Sequence, residues 1–252
     1  MLQLAIDAAR AAGEILLQYY GRAHTVHTKG LRDISTEADI AAEQAVVGVI
    51  RAGCPDARFV AEESYQDRQD SSDAPIWYID PLDGTTNYAR GLPEFSVSVA
   101  MVYAGVVQCG VVYEPLVDHL FYAFRGQGAF LNGQRLQVST RALSDALVLH
   151  DWPRQPVPRQ QLAQIVMRLA PEVDCLRSRG SAALGFCAIA AGWAEAYLQL
   201  TLQPWDVTAG IVIVEEAGGC VSALDGQPYQ LYQPSWLASN GLVHKQIIDI
   251  CR

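Results

Sequence analysis

Positive charge is scarce in this 252-residue chain. Lys29 and Lys245 are its only lysines, and 18 basic side chains face 27 acidic ones for a net charge of -9. Such a balance argues against a nucleic-acid or anionic-membrane binder, because both surfaces reward cationic proteins. An anionic small-molecule substrate would need countercharge from something other than side chains. The six cysteines are scattered and form no CxxC pair, which fits reduced, mostly buried thiols in a cytosolic protein better than a disulfide framework. His24 and His27 stand at HxxH spacing with no cysteine or third histidine nearby to complete a zinc site. MLQLAIDAAR has no basic run ahead of its apolar residues, so no secretory leader is expected. Phe95 to Tyr113 carries no charge over 19 residues, nearly the length of a membrane span. Its start, FSVSVAMV, alternates apolar with small polar residues, and Gly105 and Gly110 punctuate it. Strands separated by a turn are the better reading. No repeat and no Pro- or Gly-rich linker divides the chain.

What is present is enough for a large core: half the residues are hydrophobic, with a mean hydropathy of +0.10. Ala5, Ala8, Ala12, Ile15, Leu16 and Tyr19 share one face of a helix over residues 2–20. A second helix, Thr36 to Ala52, has Ala38, Ala42, Ala45, Val46 and Val49 as its buried stripe. RFVAEES reads as a strand entering a turn, QDRQDSSDAP as an exposed loop, and IWYID as a buried strand. Strand then follows strand to about Val138, with Asn132-Gly133 marking a hairpin. The first half, residues 1–138, is two helices and a largely antiparallel sheet. It holds 17 of the acids and 10 of the bases, against 10 and 8 in residues 139–252. In the second half strands (ALVLHDW, CLRSR, AEAYLQL, CVSAL, SWLAS) alternate with helices (158–170, SAALGFCAIAAGW, WDVTAGIVIVEEAGG, 241–251). That alternation predicts an α/β layer packed with the first half as one compact body.

The most informative run is WYIDPLDGTTNY, residues 77–88. A buried strand ends at Asp80, Pro81 turns the chain out of the sheet, and Gly84-Thr85-Thr86 opens a helix. Two carboxylates at a strand end can share a divalent cation, which prefers hard oxygen ligands. Free N–H groups of a helix start can hold phosphate oxygens. A haloacid-dehalogenase-type phosphatase also places aspartates before Gly-Thr, but at DxD spacing; here it is DxxD. Glu62 and Glu63 end the preceding strand and gain a metal role only if that strand lies beside Asp80. Thr36 with Asp39 makes a capping box, and Asp206 suits a helix N-terminus, so each has a purely structural reading as well. Lys29 reads either as a surface lysine or as a mobile countercharge for phosphate.

DISTEAD (33–39), AEES (61–64), WYIDPLDGTTNY (77–88), RSRGSAAL (177–184) and WDVTAGIVIVEEAGG (205–219) resemble, in order and spacing, the inositol monophosphatase family. Its members are magnesium-dependent phosphatases related to fructose-1,6-bisphosphatase. The resemblance implies a layered α-β-α-β-α sandwich of the sugar-phosphatase type, a homodimer, and a small phosphate monoester as substrate. It implies two or three Mg²⁺ per subunit: one on Glu62, Asp80 and the Leu82 carbonyl, a second on Asp80, Asp83 and Asp206, and a third recruited by Glu62 through water. Gly84 and Thr85 would bind phosphate through N–H groups. The Thr85 hydroxyl and Asp39, with Glu62, would orient and deprotonate the attacking water. Lys29 and Asp33 match a mobile loop. Gly180, Ser181 and Ala182 match a loop that touches the substrate. Gln199 stands where inositol-specific members carry a glutamate, so its own alternative is a strand-end amide facing water. Residues 149–160 (LHDWPRQPVPRQ) form a variable rim that the sequence leaves unread. Inositol, sugar, histidinol, 3′-phosphonucleotide and fructose-1,6-bisphosphate esters stay open. A bisphosphate enzyme would need Arg177, Arg179 or Arg90 for the second phosphate. The rival from another class is a regulatory binding protein that keeps the fold.

Overall fold

The computed structural model of the protein describes residues 1–22, 24–64 and 74–252. The chain opens with helix α1 (Leu2–Tyr19), a hairpin of β1 (Val26–Gly30) and β2 (Asp33–Thr36), and helix α2 (Glu37–Gly53). Small alanines on facing stripes, Ala5, Ala8 and Ala12 on α1 and Ala38 and Ala42 on α2, let these helices pack closely over a shared core. The hairpin was not foreseen. All five residues of β1 are exposed, so no apolar alternation announces it.

Next come β3 (Arg58–Ala61), β4 (Ile76–Asp83), the one-turn helix α3 (Thr85–Ala89), β5 (Ser96–Tyr103), β6 (Val106–Glu114), β7 (His119–Phe124), β8 (Gly128–Leu131) and β9 (Gln134–Arg135). The strands form one seven-stranded sheet in sequence order, parallel only between β3 and β4. Asn132 and Gly133, with φ of 48° and 83°, make the β8–β9 turn that Asn-Gly predicts. Two expectations need correction. Pro81 does not end its strand: β4 runs on to Asp83, and the proline sits in a register break between Asp80 and Asp83. Gly110 is no punctuation mark but an interior residue of β6, where a Cβ would come 2.5 Å from the Ala209 carbonyl oxygen. The expected loop QDRQDSSDAP lies outside the described residues, except for Ala74 and Pro75.

The rest of the chain comprises β10 (Leu147–His150), α4 (Pro156–Leu169), β11 (Cys175–Arg177), α5 (Ala182–Ala190), β12 (Ala196–Leu200), α6 (Pro204–Glu216), β13 (Cys220–Ser222), β14 (Ser235–Ser239) and α7 (His244–Cys251). A five-stranded sheet runs β11-β10-β12-β14-β13, parallel on one side and antiparallel about β14.

The layers follow from which apolar faces meet. Trp77 and Ile79 of β4 point at α1 and α2, whereas Tyr78 between them points at α5 and α6. That is the period-two alternation of a strand covered on both sides. Trp236 and Ala238 bring the second sheet onto the other side of α5 and α6. Leu162, Ile165 and Ile247 of α4 and α7 close its outer face over Val148, Leu198 and Leu237. The result is the expected α-β-α-β-α sandwich. No helix among the described residues is long and apolar enough to cross a membrane.

Candidate active site

Parallel pairing of β3 with β4 decides where the acids go. Ala61 lies opposite Ile79, and Glu62 N–H donates to the Ile79 carbonyl at 3.1 Å. Glu62 therefore leaves β3 beside Asp80, as the metal reading requires. Its turn is pinned by the buried Glu43 of α2, whose Oε2 accepts the Glu63 N–H at 2.8 Å. Sequence reading missed Glu43, because the apolar stripe of α2 left no reason to expect a carboxylate inside.

Asp80 is buried, and its Oδ1 accepts the Leu82 N–H at 3.0 Å. Burial pushes its pKa well up, and the charges of Glu62, Asp83 and Asp206 push it further. Asp206, in the first turn of α6, is half-buried. Burial and the Glu62 charge nevertheless bring it to about 8, against the pull of the Gln203 N–H bond at 2.7 Å. Asp83 faces the start of α5, where its carboxylate accepts from the Ser181 hydroxyl at 2.5 Å and from Ala182 and Ala183 N–H at 3.2 and 2.8 Å. Burial still raises it to about 6. Four carboxylates thus influence one another in a largely dry space, although among the described residues no three acid, histidine or cysteine side chains close into a finished cage. Their donor chemistry, hard oxygens of like charge, fits a divalent cation of the Mg²⁺ kind.

Asp39 reconciles its two readings by using different oxygens. Oδ2 accepts from the Thr36 N–H and hydroxyl at 2.8 and 2.6 Å, completing the capping box, while Oδ1 faces the Thr85 hydroxyl at 3.1 Å. Burial raises Asp39 to about 7, with Glu62 and Glu63 adding to the rise against the Thr36 bonds. The Thr85 hydroxyl also reaches the Leu82 carbonyl, at 3.0 Å. Having one hydrogen for two acceptors, it can pass from one to the other. Gly84 turns the chain into α3 with φ of 97°, and a Cβ there would come 2.8 Å from the Glu94 carbonyl oxygen. Only glycine meets both demands.

Lys29, on β1, donates to Glu62 and Glu63, each at 2.7 Å. Burial works against its charge, but the two carboxylates outweigh it and raise its pKa. Asp33 pairs through Oδ2 with Arg154 at 3.0 Å, while its Oδ1 is buried without a partner. Gly180, Ser181 and Ala182 sit across from Gly84, with the Gly180 carbonyl 3.3 Å from where a Gly84 Cβ would stand. Gln199 is 6% exposed, and its Oε1 accepts the Leu200 N–H at 2.9 Å. Facing water is therefore the wrong alternative for Gln199.

A pH dependence follows from these carboxyls. Asp39, Asp83 and Asp206 have folded pKa values of about 7, about 6 and about 8, all above the usual carboxyl range. The folded chain then binds more protons than the unfolded one between about pH 4 and pH 8, and stability falls as pH rises through that window. In chelator, the melting temperature is expected to be lower at about pH 8.5 than at about pH 5.5, and added Mg²⁺ should restore more at the higher pH. Thermal unfolding with and without Mg²⁺ checks this; a melting temperature that climbs with pH in chelator contradicts it.

A sequence profile described as the inositol monophosphatase family matches residues 1–252. The chain is 35% identical to the fructose-1,6-bisphosphatase/inositol-1-monophosphatase of Thermotoga maritima over 99% of its own length and 94% of that protein's. It is 39% identical to the Nus factor SuhB of Pasteurella multocida, over 99% and 94% of the two chains. The crystal structure of the extragenic suppressor protein SuhB of Bartonella henselae superposes with a TM-score of 0.94 at 33% identity, covering 99% and 97%.

Proposed function

The chain belongs to the inositol monophosphatase family and is a phosphoric monoester hydrolase of that kind; we propose that it acts on inositol monophosphate or a similar small polyol or sugar phosphate, with Mg²⁺ at the carboxylate cluster. The observation that carries this reading is the convergence of Glu62, Asp83 and Asp206 on the buried Asp80. Without a cation, such a set only destabilises the fold. Glu62, Asp80 and the Leu82 carbonyl would hold one ion, and Asp80, Asp83 and Asp206 a second, with Glu62 recruiting a third through water. Bound there, Mg²⁺ would neutralise the phosphate ester and make water more acidic.

The chain's own residues do the rest. Gly84 and Thr85 offer N–H groups to the phosphate at the start of α3. The Thr85 hydroxyl donates towards Asp39 Oδ1, which leaves its lone pairs free to accept a proton from the attacking water. Asp39, held at about 7 by burial, is matched to receiving that proton near neutral pH. Gly180, Ser181 and Ala182 would contact the substrate opposite Gly84. Lys29 and Asp33 would act from the hairpin, Lys29 giving up Glu62 and Glu63 when a cation arrives.

The same reading takes the working form as a cytoplasmic homodimer. The free thiols of Cys54, Cys109, Cys175, Cys187, Cys220 and Cys251 suit a reducing compartment, and light scattering tests the dimer. A regulatory binding protein is the second reading, and the name Nus factor SuhB on relatives such as that of Pasteurella multocida favours it. A variant without turnover that kept its cellular role would support it.

Gln199 sets the expected selectivity. A carboxylate accepting from two ring hydroxyls makes charge-assisted bonds about twice as strong as neutral ones. With an amide there, inositol phosphate should be turned over no better than glycerol phosphate. Gln199→Glu is expected to raise kcat/KM for inositol phosphate relative to glycerol phosphate about tenfold, or ~1.4 kcal/mol. Phosphate release across a panel of monoesters is the test. No turnover of any ester rejects the phosphatase reading, and an unchanged ratio rejects only the role of Gln199.

A further inference from the structure

Asp151 follows β10 in the rim segment that the sequence left unread. It is buried, yet four donors converge on its carboxylate. Oδ1 accepts from the Ser178 hydroxyl at 2.9 Å, the Arg179 N–H at 3.0 Å and the Gly180 N–H at 2.5 Å, and Oδ2 accepts from the Tyr197 hydroxyl at 3.2 Å. Two successive peptide N–H groups and a hydroxyl aimed at one oxygen form an anion nest. Here the chain fills its own nest.

The loop held in this way is gripped from the other side by the residues of the site. Asn87 Nδ2 donates to the Arg179 carbonyl at 2.8 Å. Gly180, at φ of 78°, passes so near Asn87 that a Cβ would come 2.9 Å from its Nδ2. One residue further on, the Ser181 hydroxyl donates to Asp83. Residues 178–181 therefore form a short bridge between Asp151, just past β10 of the second sheet, and the segment from Asp83 at the end of β4 to Asn87 in α3.

We propose that Asp151 is a positioning residue for the phosphatase reaction: it fixes the 178–181 bridge so that Gly180, Ser181 and Ala182 meet the substrate at a set distance from Asp83 and Gly84. This rests on the phosphatase reading of the site. Among the described residues, three of the four donors to Asp151 belong to the 178–180 segment, so it acts through the loop. An asparagine keeps the shape but offers one neutral acceptor oxygen, with an N–H₂ group turned to the Tyr197 hydroxyl in place of Oδ2. Its oxygen can take the place of Oδ1, but the three bonds that hold the bridge then lose the carboxylate's charge and weaken.

Asp151→Asn is compared with wild type by steady-state kinetics on glycerol phosphate, Mg²⁺ calorimetry and amide hydrogen exchange. Exchange at Arg179 and Gly180 should accelerate, and KM should rise about tenfold with kcat within about threefold, the pattern of lost substrate contact. Mg²⁺ affinity should change far less than KM, since Asp83, the carboxylate that meets the bridge through the Ser181 hydroxyl, keeps its Ala182 and Ala183 N–H bonds. In Asp151→Gly, formate should re-enter the nest and recover KM, whereas chloride at equal ionic strength should not. Unchanged exchange overturns the proposal, as does faster exchange with unchanged KM, or a loss of Mg²⁺ affinity in step with KM. A wild-type enzyme silent on every ester overturns the phosphatase reading instead. Exchange, which needs no turnover, still decides whether Asp151 holds the loop.

Discussion

Asp80→Asn is expected to abolish phosphate release while making the metal-free protein more stable. Both effects come from one charge. Asp80 lies where the fields of Glu62, Asp83 and Asp206 meet, and burial magnifies their repulsion. Removing its charge relieves the other three, and asparagine Oδ1 can still accept the Leu82 N–H that Asp80 accepts now. In chelator at about pH 8 the melting temperature should therefore rise, by a few degrees for ~1 kcal/mol. The same change removes the carboxylate that would serve the first two proposed Mg²⁺ positions. Changing a residue that merely orients a ligand costs about 10–100-fold, so losing a shared ligand should cost more than about 10³-fold in turnover. Activity assays, Mg²⁺ calorimetry and thermal unfolding on one preparation test the pair of effects. Turnover near the wild-type rate, or a metal-free variant that melts earlier than wild type, contradicts the assignment.

Thr85→Ala should act on the chemical step alone. The hydroxyl touches Asp39 and the Leu82 carbonyl and sits between them as the candidate proton carrier. Managing the proton of an attacking water is typically worth ~10²–10⁴ in rate, so kcat should fall well over tenfold with Mg²⁺ affinity little changed. Position 85 is 7% exposed, so loss of the hydroxyl and the γ-methyl leaves a small buried gap. Folding should survive it. If the whole loss appears as weaker Mg²⁺ binding, Thr85 works by holding the Leu82 carbonyl and the proton role is wrong.

Much of this site could be read from the sequence because its logic is local. A strand end, a DxxD pair and a Gly-Thr turn lie within WYIDPLDGTTNY, and one turn of backbone brings them together. Asp39 and Asp206 were harder, because each also caps a helix. Only the structure shows Asp39 dividing the two tasks between its oxygens. Pro81 was read too strictly: a register break absorbs it, and β4 carries Leu82 and Asp83 onward as buried residues. The β1–β2 hairpin escaped because its first strand is wholly exposed, leaving hydrophobic periodicity nothing to register. Glu43 and Asp151 escaped for the opposite reason. Each is a carboxylate buried by partners distant in sequence, Glu63 for one and Ser178, Arg179, Gly180 and Tyr197 for the other. Nothing local could announce them.

The central claim, that these carboxylates serve a Mg²⁺-dependent phosphate monoesterase, is tested most directly by the rate of inorganic phosphate release from glycerol phosphate by the wild-type protein as Mg²⁺ is titrated from a chelated zero. A rate that is absent without Mg²⁺ and rises to saturation is the predicted result. A rate that persists undiminished in chelator would contradict the account.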